Sequence, residues 1–258
     1  MKVIVFGNVP LASWVIEKIS ESGKMDLLGV VCDDYAAEQF DHHGLNYPST
    51  LEYCTSNGII RLSLIEAEKL AMKQPILGIS VRYNILFKQS FYSLFRPGII
   101  NLHGGELPRF RGTNIANHAI LEGVERGAGT LHFIDEGVDT GDIVKREYFQ
   151  VSKRETAFSF FVKTINSLQN AFLKLLKEME GNDQIPRIPQ AELITKGEVA
   201  HEYRHKDLLG KSKIDKEEIN SPIFDRKVRA FQFPPHTPAH MIINGKQYFV
   251  TTEEELGE

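Results

Sequence analysis

Residues Lys2–Ser22 read KVIVFGNVPLASWVIEKISES, and their pattern decides the fold class. Lys2 to Gly7 is an almost continuous apolar run, whereas Pro10 to Ser22 sets its apolar residues at helical spacing. The first pattern predicts a strand buried on both faces and the second an amphipathic helix, with a turn after Gly7. The runs DLLGVVCD (26–33), PILGISVRY (75–83) and GIINLH (98–103) repeat the strand signal and are separated by helical stretches. Strands without alternation, interleaved with helices, predict an α/β fold with a Rossmann-like, mostly parallel sheet covered by helices on both faces.

Beyond His103, the stretch 114–122 predicts a helix, GTLHFI (129–134) a strand and IVKREYFQV (143–151) its partner. A long helix follows over about 154–180, with Phe158, Phe161, Ile165, Leu168, Phe172 and Leu175 on one face. Trp14 and this phenylalanine series are expected in the core. Gly181, Asn182 and two prolines in GNDQIPRIPQ predict a linker. The chain is thereby divided into a catalytic domain, 1–182, and a small, partly β C-terminal domain, 183–258, whose hairpin turns at Asn244-Gly245.

The 258 residues are 42% hydrophobic and 25% charged, the balance of an ordinary globular protein, so disorder and coiled-coil readings drop out. A formal net charge of -4 supplies no field to attract a polyanion, and nucleic acid is not an expected partner. No apolar run reaches membrane-spanning length, and the N-terminus lacks a small-residue cleavage site. A cytoplasmic protein without membrane partners is expected. Cys32 and Cys54 are read as reduced, buried thiols. FGNVP has one glycine where a dinucleotide fingerprint needs three, which argues against a nicotinamide-dependent dehydrogenase. His42 and His43 lack a third ligand at metal spacing and are read as solvated loop residues.

The chemistry is expected where parallel strands end. In GIINLH, Asn101 and His103 are two residues apart and share a face at the carboxyl edge of the sheet. They either satisfy loop backbone groups or present an amide donor and a base to a ligand. HFIDEGVDTGDIV (132–144) packs three aspartates and a glutamate between two apolar strands. It lacks the register of a calcium loop. A carboxylate from it is suited to orienting His103. Between the two elements, GGELPRFRG (104–112) brings Arg109 and Arg111, planar donors that suit phosphate or carboxylate or simply stay solvated. His118 faces either a pocket or the packed rim, and His132 is read as structural. His201, His205, His236 and His240 fall outside these motifs.

INLHGGELPRFRG followed by GTLHFIDEGVDTGDIV resembles the 10-formyltetrahydrofolate-dependent formyltransferases, most of all those that formylate nucleotide-linked amino sugars. The resemblance runs from Met1 to about Val151, is sharpest over 99–144, and returns weakly in KVRAFQFPP (227–235). It implies Asn101, His103 and Asp139 as the catalytic trio. It implies that SVRYNIL, with Arg82, Tyr83, Asn84, Ile85 and Leu86, borders the folate pterin on one side. Ile134, Asp135, Gly137, Val138 and Asp142 would border it on the other. Gly105, Glu106, Arg109, Arg111, Asn114 and His118 are expected around the acceptor, with Tyr83 near the sugar. Many relatives have Ser-Leu-Leu-Pro where this chain has Gly105-Glu106-Leu107-Pro108, which places an acid where the acceptor is expected.

The resemblance implies formyl transfer from 10-formyltetrahydrofolate to an amino-deoxysugar of surface polysaccharide synthesis, without a metal, by a homodimer. In that chemistry His103 would move the amine proton, Asn101 would donate to the developing oxyanion and Asp139 would orient His103. Two other classes compete. A methionyl-tRNA formyltransferase would bind a polyanion, against the charge balance. A formyltetrahydrofolate hydrolase or folate-binding module is the third, and the resemblance would lead one to expect a regulatory segment before Met1 in the hydrolase.

Overall fold

The computed structural model describes residues 1–33, 45–179 and 184–252. His42, His43, Gly181 and Asn182, and with them the 182/183 boundary, lie outside the described residues.

The opening stretch folds as β1 (Lys2–Gly7) and α1 (Pro10–Ser22). Pro10 starts the helix, where its missing N–H costs nothing, and Gly23 ends it with φ 61°. β2 (Asp26–Val31) follows, then α2 (Thr50–Ser56) and α3 (Leu64–Lys73). Ser49 with Glu52 and Ser63 with Glu66 form capping boxes that start these two short helices, each cap contributing about 1 kcal/mol. β3 (Leu77–Val81), α4 (Gln89–Tyr92) and β4 (Ile99–His103) complete the parallel part of the sheet.

β5 (Arg111–Gly112) and α5 (Ile115–Glu122) lead into β6 (Arg126–Phe133) and β7 (Ile143–Gln150). The six-stranded sheet has the order β2-β1-β3-β4-β6-β7. Its first four strands are parallel, and β6 and β7 are each antiparallel to their neighbours. Because β6 runs against β4, Asn101 lies directly opposite His132 and His103 opposite Thr130.

Helices cover both faces. On one, α1 packs with α6 (Ala157–Glu178), and Trp14 meets Phe172 edge-on at 6.1 Å. On the other, Phe6 is surrounded by Phe87, Phe91 and Phe95 at 5.0–5.9 Å. Phe6 and Phe172 are fully buried, each worth roughly 1.5–3 kcal/mol of transfer free energy. The buried face of α6 also includes Phe160, while Phe158 and Phe161 are only half-buried. Cys32 and Cys54 are buried and free.

The remainder comprises α7 (Gln190–Thr195), β8 (Glu202–Tyr203), α8 (Pro222–Ala230), β9 (Ala239–Ile243) and β10 (Lys246–Val250). β9 and β10 form the expected hairpin, with positive φ at Asn244 and Gly245. The described part of the predicted linker is not loose. Ile188 exchanges two backbone hydrogen bonds with Ile143, at 2.8 and 2.9 Å, adding a bridge beside β7. α8 packs on α5, Asn117 donates to Ala230 O at 2.7 Å, and the buried Arg229 donates to Glu155 O at 2.8 Å. The C-terminal segment is thus set against the sheet domain and supplies walls to the site.

Candidate active site

A cleft of about 800 Å³ opens at the carboxyl ends of β3 and β4. Asn101, His103 and Asp139 all line it, so the alternation of β4 does bring its two polar side chains to a ligand-accessible edge. Apolar walls come from Leu86, Val138 and Phe161, and a cavity of this size and character suits small-molecule ligands.

One carboxylate organises the polar end. Asp139 Oδ2 lies 3.3 Å from His103 Nδ1, and Oδ1 lies 3.3 Å from His132 Nε2. Oδ2 also accepts from Gly112 N at 2.8 Å. Gly112 has φ 93°, and a Cβ there would come within 2.0 Å of Tyr203 O, so only glycine lets β5 approach β8 and still donate to Asp139. Asp139 itself has φ 52°. Its loop is pinned from outside the sheet domain: Gln190 Nε2 donates to Asp139 O and Gly141 O, each at 2.8 Å. Gln190 Oε1 accepts from Arg111 Nε and an Arg111 terminal nitrogen at 3.1 and 2.7 Å.

His103 Nε2 lies 2.6 Å from Phe110 O. A main-chain oxygen only accepts, so Nε2 carries the hydrogen and Nδ1 presents its lone pair to Asp139 in the neutral ring. Gly105 makes this contact possible, because a Cβ there would stand 2.5 Å from Phe110 O. Burial lowers the basicity of His103 more than Asp139 raises it, and the ring is held below its ordinary 6.5. The pair is therefore an ionised carboxylate beside a neutral imidazole. The contact between Nδ1 and Oδ2, 3.3 Å long, becomes attractive once a proton lies between them.

The expected folate-side residues divide. Arg82, Tyr83, Leu86 and Val138 line the cleft, whereas Asn84, Ile85, Ile134, Asp135, Gly137 and Asp142 do not. Asp135 instead accepts from Gly137 N and Thr140 Oγ1 within its own loop, and Asp142 pairs with Arg187. Burial pushes the Tyr83 hydroxyl up to about 12.

Among the expected acceptor-side residues only Asn114 lines the cleft. Glu106 is buried and paired with Arg126 of β6 at 2.6 Å, and it does not line the cleft. Arg109 pairs with Glu122 at 3.0 Å, and Arg111 is taken up by Gln190. His118 is buried against the Tyr203 ring at 4.4 Å, on the packed side of α5. Gly105 lies beneath the His103 contact rather than on the wall.

Several residues in or directly behind the cleft are not apparent from the motifs. His132, read as structural, is the second imidazole on Asp139. His205, 3.1 Å from Asn114 Nδ2, and His236, Phe231 and Phe233 form a wall from the C-terminal segment. The two phenylalanines fall in KVRAFQFPP, where the resemblance returns. A histidine inside the otherwise apolar GTLHFI is the one signal that points to His132.

The model of the formyl transferase domain matches residues 1–175. The chain belongs to the formyl transferase family. It is 33% identical over 180 residues to the GDP-perosamine N-formyltransferase of Brucella melitensis, covering 68% of this chain and 64% of that protein. The match thus spans slightly less than two thirds of that relative's length. The methionyl-tRNA formyltransferase of a Wolbachia pipientis strain is 30% identical over 138 residues, 54% of this chain and 45% of its own. Among solved structures, the N-formyltransferase of Helicobacter canadensis, in complex with folinic acid and dTDP-3-aminofucose, superimposes with a TM-score of 0.71. It is 20% identical and covers 95% of this chain and 84% of its own, which establishes the shared fold. Among the described residues no helix is long and apolar enough to cross a membrane, and no group of three ligating side chains is placed to hold a metal ion.

Proposed function

We propose that this protein transfers the formyl group of 10-formyltetrahydrofolate to the amino group of a nucleotide-linked amino-deoxysugar. The observation that carries the reading is the convergence of Asn101, His103 and Asp139 on one cleft. The Brucella relative acts on a nucleotide sugar by its name, and the Helicobacter enzyme holds a folate and a nucleotide sugar together. The Wolbachia relative supports a methionyl-tRNA acceptor instead, but a net charge of -4 is a poor match for tRNA.

The folate fits the cleft's apolar side, where Leu86, Val138 and Phe161 would flank a planar ring and Arg82 and Tyr83 stand at the mouth. It supplies the formyl carbonyl. Asn101 Nδ2, which lines the cleft, is the donor available to that oxygen as it gains negative charge, since the His103 Nε2–H is held by Phe110 O. From ammonium to amide the acceptor nitrogen gives up two protons. One goes to the folate nitrogen that loses the formyl group, and one leaves. Asp139 and His103 Nδ1 are the place where the first proton is held, since their contact is completed by it. No step requires a metal.

The Asn114–His205 pair and the wall formed by Phe231, Phe233 and His236 would meet the acceptor. Residues 183–258 are taken as a distinct small unit, supported by a core of its own around Ile214, Val228 and Ala239. Its hairpin exposes Ile242, Tyr248 and Phe249, each at least half-exposed, which suits burial in a homodimer. A monomer in sedimentation at micromolar concentration would end that part. A cytoplasmic enzyme of surface-polysaccharide, including lipopolysaccharide, synthesis fits a nucleotide-activated acceptor. The whole reading is tested by incubating the protein with 10-formyltetrahydrofolate, a panel of nucleotide-linked 3- and 4-amino-deoxysugars and methionyl-tRNA. One formyl group gained by one nucleotide sugar supports it, and formylation of the tRNA alone replaces it.

A further inference from the structure

Asn101 can present either end of its amide to a ligand, and only its nitrogen can stabilise an oxyanion. The hydrogen bonds of His132 decide between the two. Asn101 and His132 are directly opposite on β4 and β6, and the His132 side chain is 2% exposed. His132 Nδ1 lies 2.9 Å from Phe133 O, so Nδ1 carries the hydrogen. In the neutral ring Nε2 is then an acceptor, and Asn101 Nδ2 donates to it at 3.2 Å. The same Nε2 is 3.3 Å from Asp139 Oδ1, which puts the amide nitrogen on the side of Asp139 and His103. Turning the amide over would set Oδ1 against a lone pair. A second proton on the ring would turn Nε2 toward Asp139 and release Asn101. The groups facing the ring are Asn101, Asp139, Phe133 O and the edge of His103, whose centroid is 6.0 Å away.

We propose that His132 is a positioning residue for formyl transfer, which holds the Asn101 amide with its nitrogen toward the reacting carbonyl. The inference rests on the formyl-transfer reading of the cleft. His132→Phe removes the acceptor and keeps the bulk, whereas His132→Gln restores an oxygen that can accept from Nδ2.

The first test needs no turnover. In ¹⁵N-labelled wild-type protein near neutral pH, the His132 ring is expected as the Nδ1–H tautomer, with the Asn101 side-chain signal shifted in His132→Phe. An Nε2–H tautomer or a doubly protonated ring overturns the proposal. In kinetics, His132→Phe is expected to lower kcat by about 10²-fold, the scale of a misplaced catalytic group, with KM for both substrates little changed. His132→Gln should recover most of that loss. A folded His132→Phe variant with kcat within twofold of wild type, or equal losses in Phe and Gln, overturns it as well. Failure of the underlying reading would show separately, as a wild-type protein that formylates nothing while the ring spectrum still reports the tautomer.

Discussion

Gln190 Nε2 donates to the main-chain oxygen of Asp139 at 2.8 Å, so the residue that opens α7 holds the loop that carries the site's carboxylate. Gln190 is 3% exposed and makes two further bonds from Arg111 and one to Gly141 O. Gln190→Leu leaves Arg111 and two carbonyls without this partner. Each uncompensated group costs about 1–3 kcal/mol. A lower urea midpoint and a kcat reduced about tenfold are expected. Gln190→Glu should do no better, because its carboxylate accepts from Arg111 but cannot donate to Asp139 O.

Gly112→Ala tests the other support of Asp139. The new Cβ would meet Tyr203 O, and the residue would be strained at φ 93°. Overpacking and positive φ together are worth about 1–3 kcal/mol. The loss should appear in thermal unfolding, and kcat should fall with it because the 2.8 Å bond from Gly112 N to Asp139 is displaced.

His118 predicts a pH dependence of stability rather than of chemistry. Burial first, then the charge of Lys211, pushes it down to about 4 from 6.5, and its Nε2 has no hydrogen-bond partner among the described residues. The unfolded chain therefore binds the proton more readily, and stability falls as pH drops from 6.5 toward 4. The full effect is on the order of 3 kcal/mol. His118→Phe, which keeps the packing on Tyr203, should flatten that decline. Urea midpoints at pH 7.5 and 4.5 measure it, and an unchanged slope would contradict the assignment.

Asp139→Asn replaces the carboxylate that lies 3.3 Å from both imidazoles by a neutral amide. Proton uptake at His103 Nδ1 then loses its stabilising charge, and kcat should fall by about 10²–10⁴-fold, the range for general acid–base groups. Initial rates over both substrate concentrations check this. A rise in KM alone would place Asp139 in binding rather than in proton transfer.

The parallel sheet could be read from KVIVFG, DLLGVV, PILGIS and GIINLH because strands buried on both faces leave unbroken apolar runs. The direction of β6 could not, since an apolar run has no polarity, and the pairing of Asn101 with His132 follows from that direction. That Asn101, His103 and Asp139 line one cleft was legible through strand alternation and the family motif. The cleft wall formed by His205, Phe231, Phe233 and His236 was not. Arg109, Arg111, Glu106 and His118 have the composition of a ligand site, but their partners are Glu122, Gln190, Arg126 and Tyr203, distant in sequence. Gln190, in a proline-rich stretch that reads as linker, carries no local sign of its four hydrogen bonds.

The most direct measurement compares wild type with Asn101→Ala for acceptor-dependent release of tetrahydrofolate from 10-formyltetrahydrofolate, using a nucleotide-linked amino sugar. The expected result is release only when the acceptor is present, with kcat lowered about 10²–10³-fold in the variant and folate binding retained. Release at the same rate without an acceptor, or an Asn101→Ala variant as fast as wild type, would contradict the account.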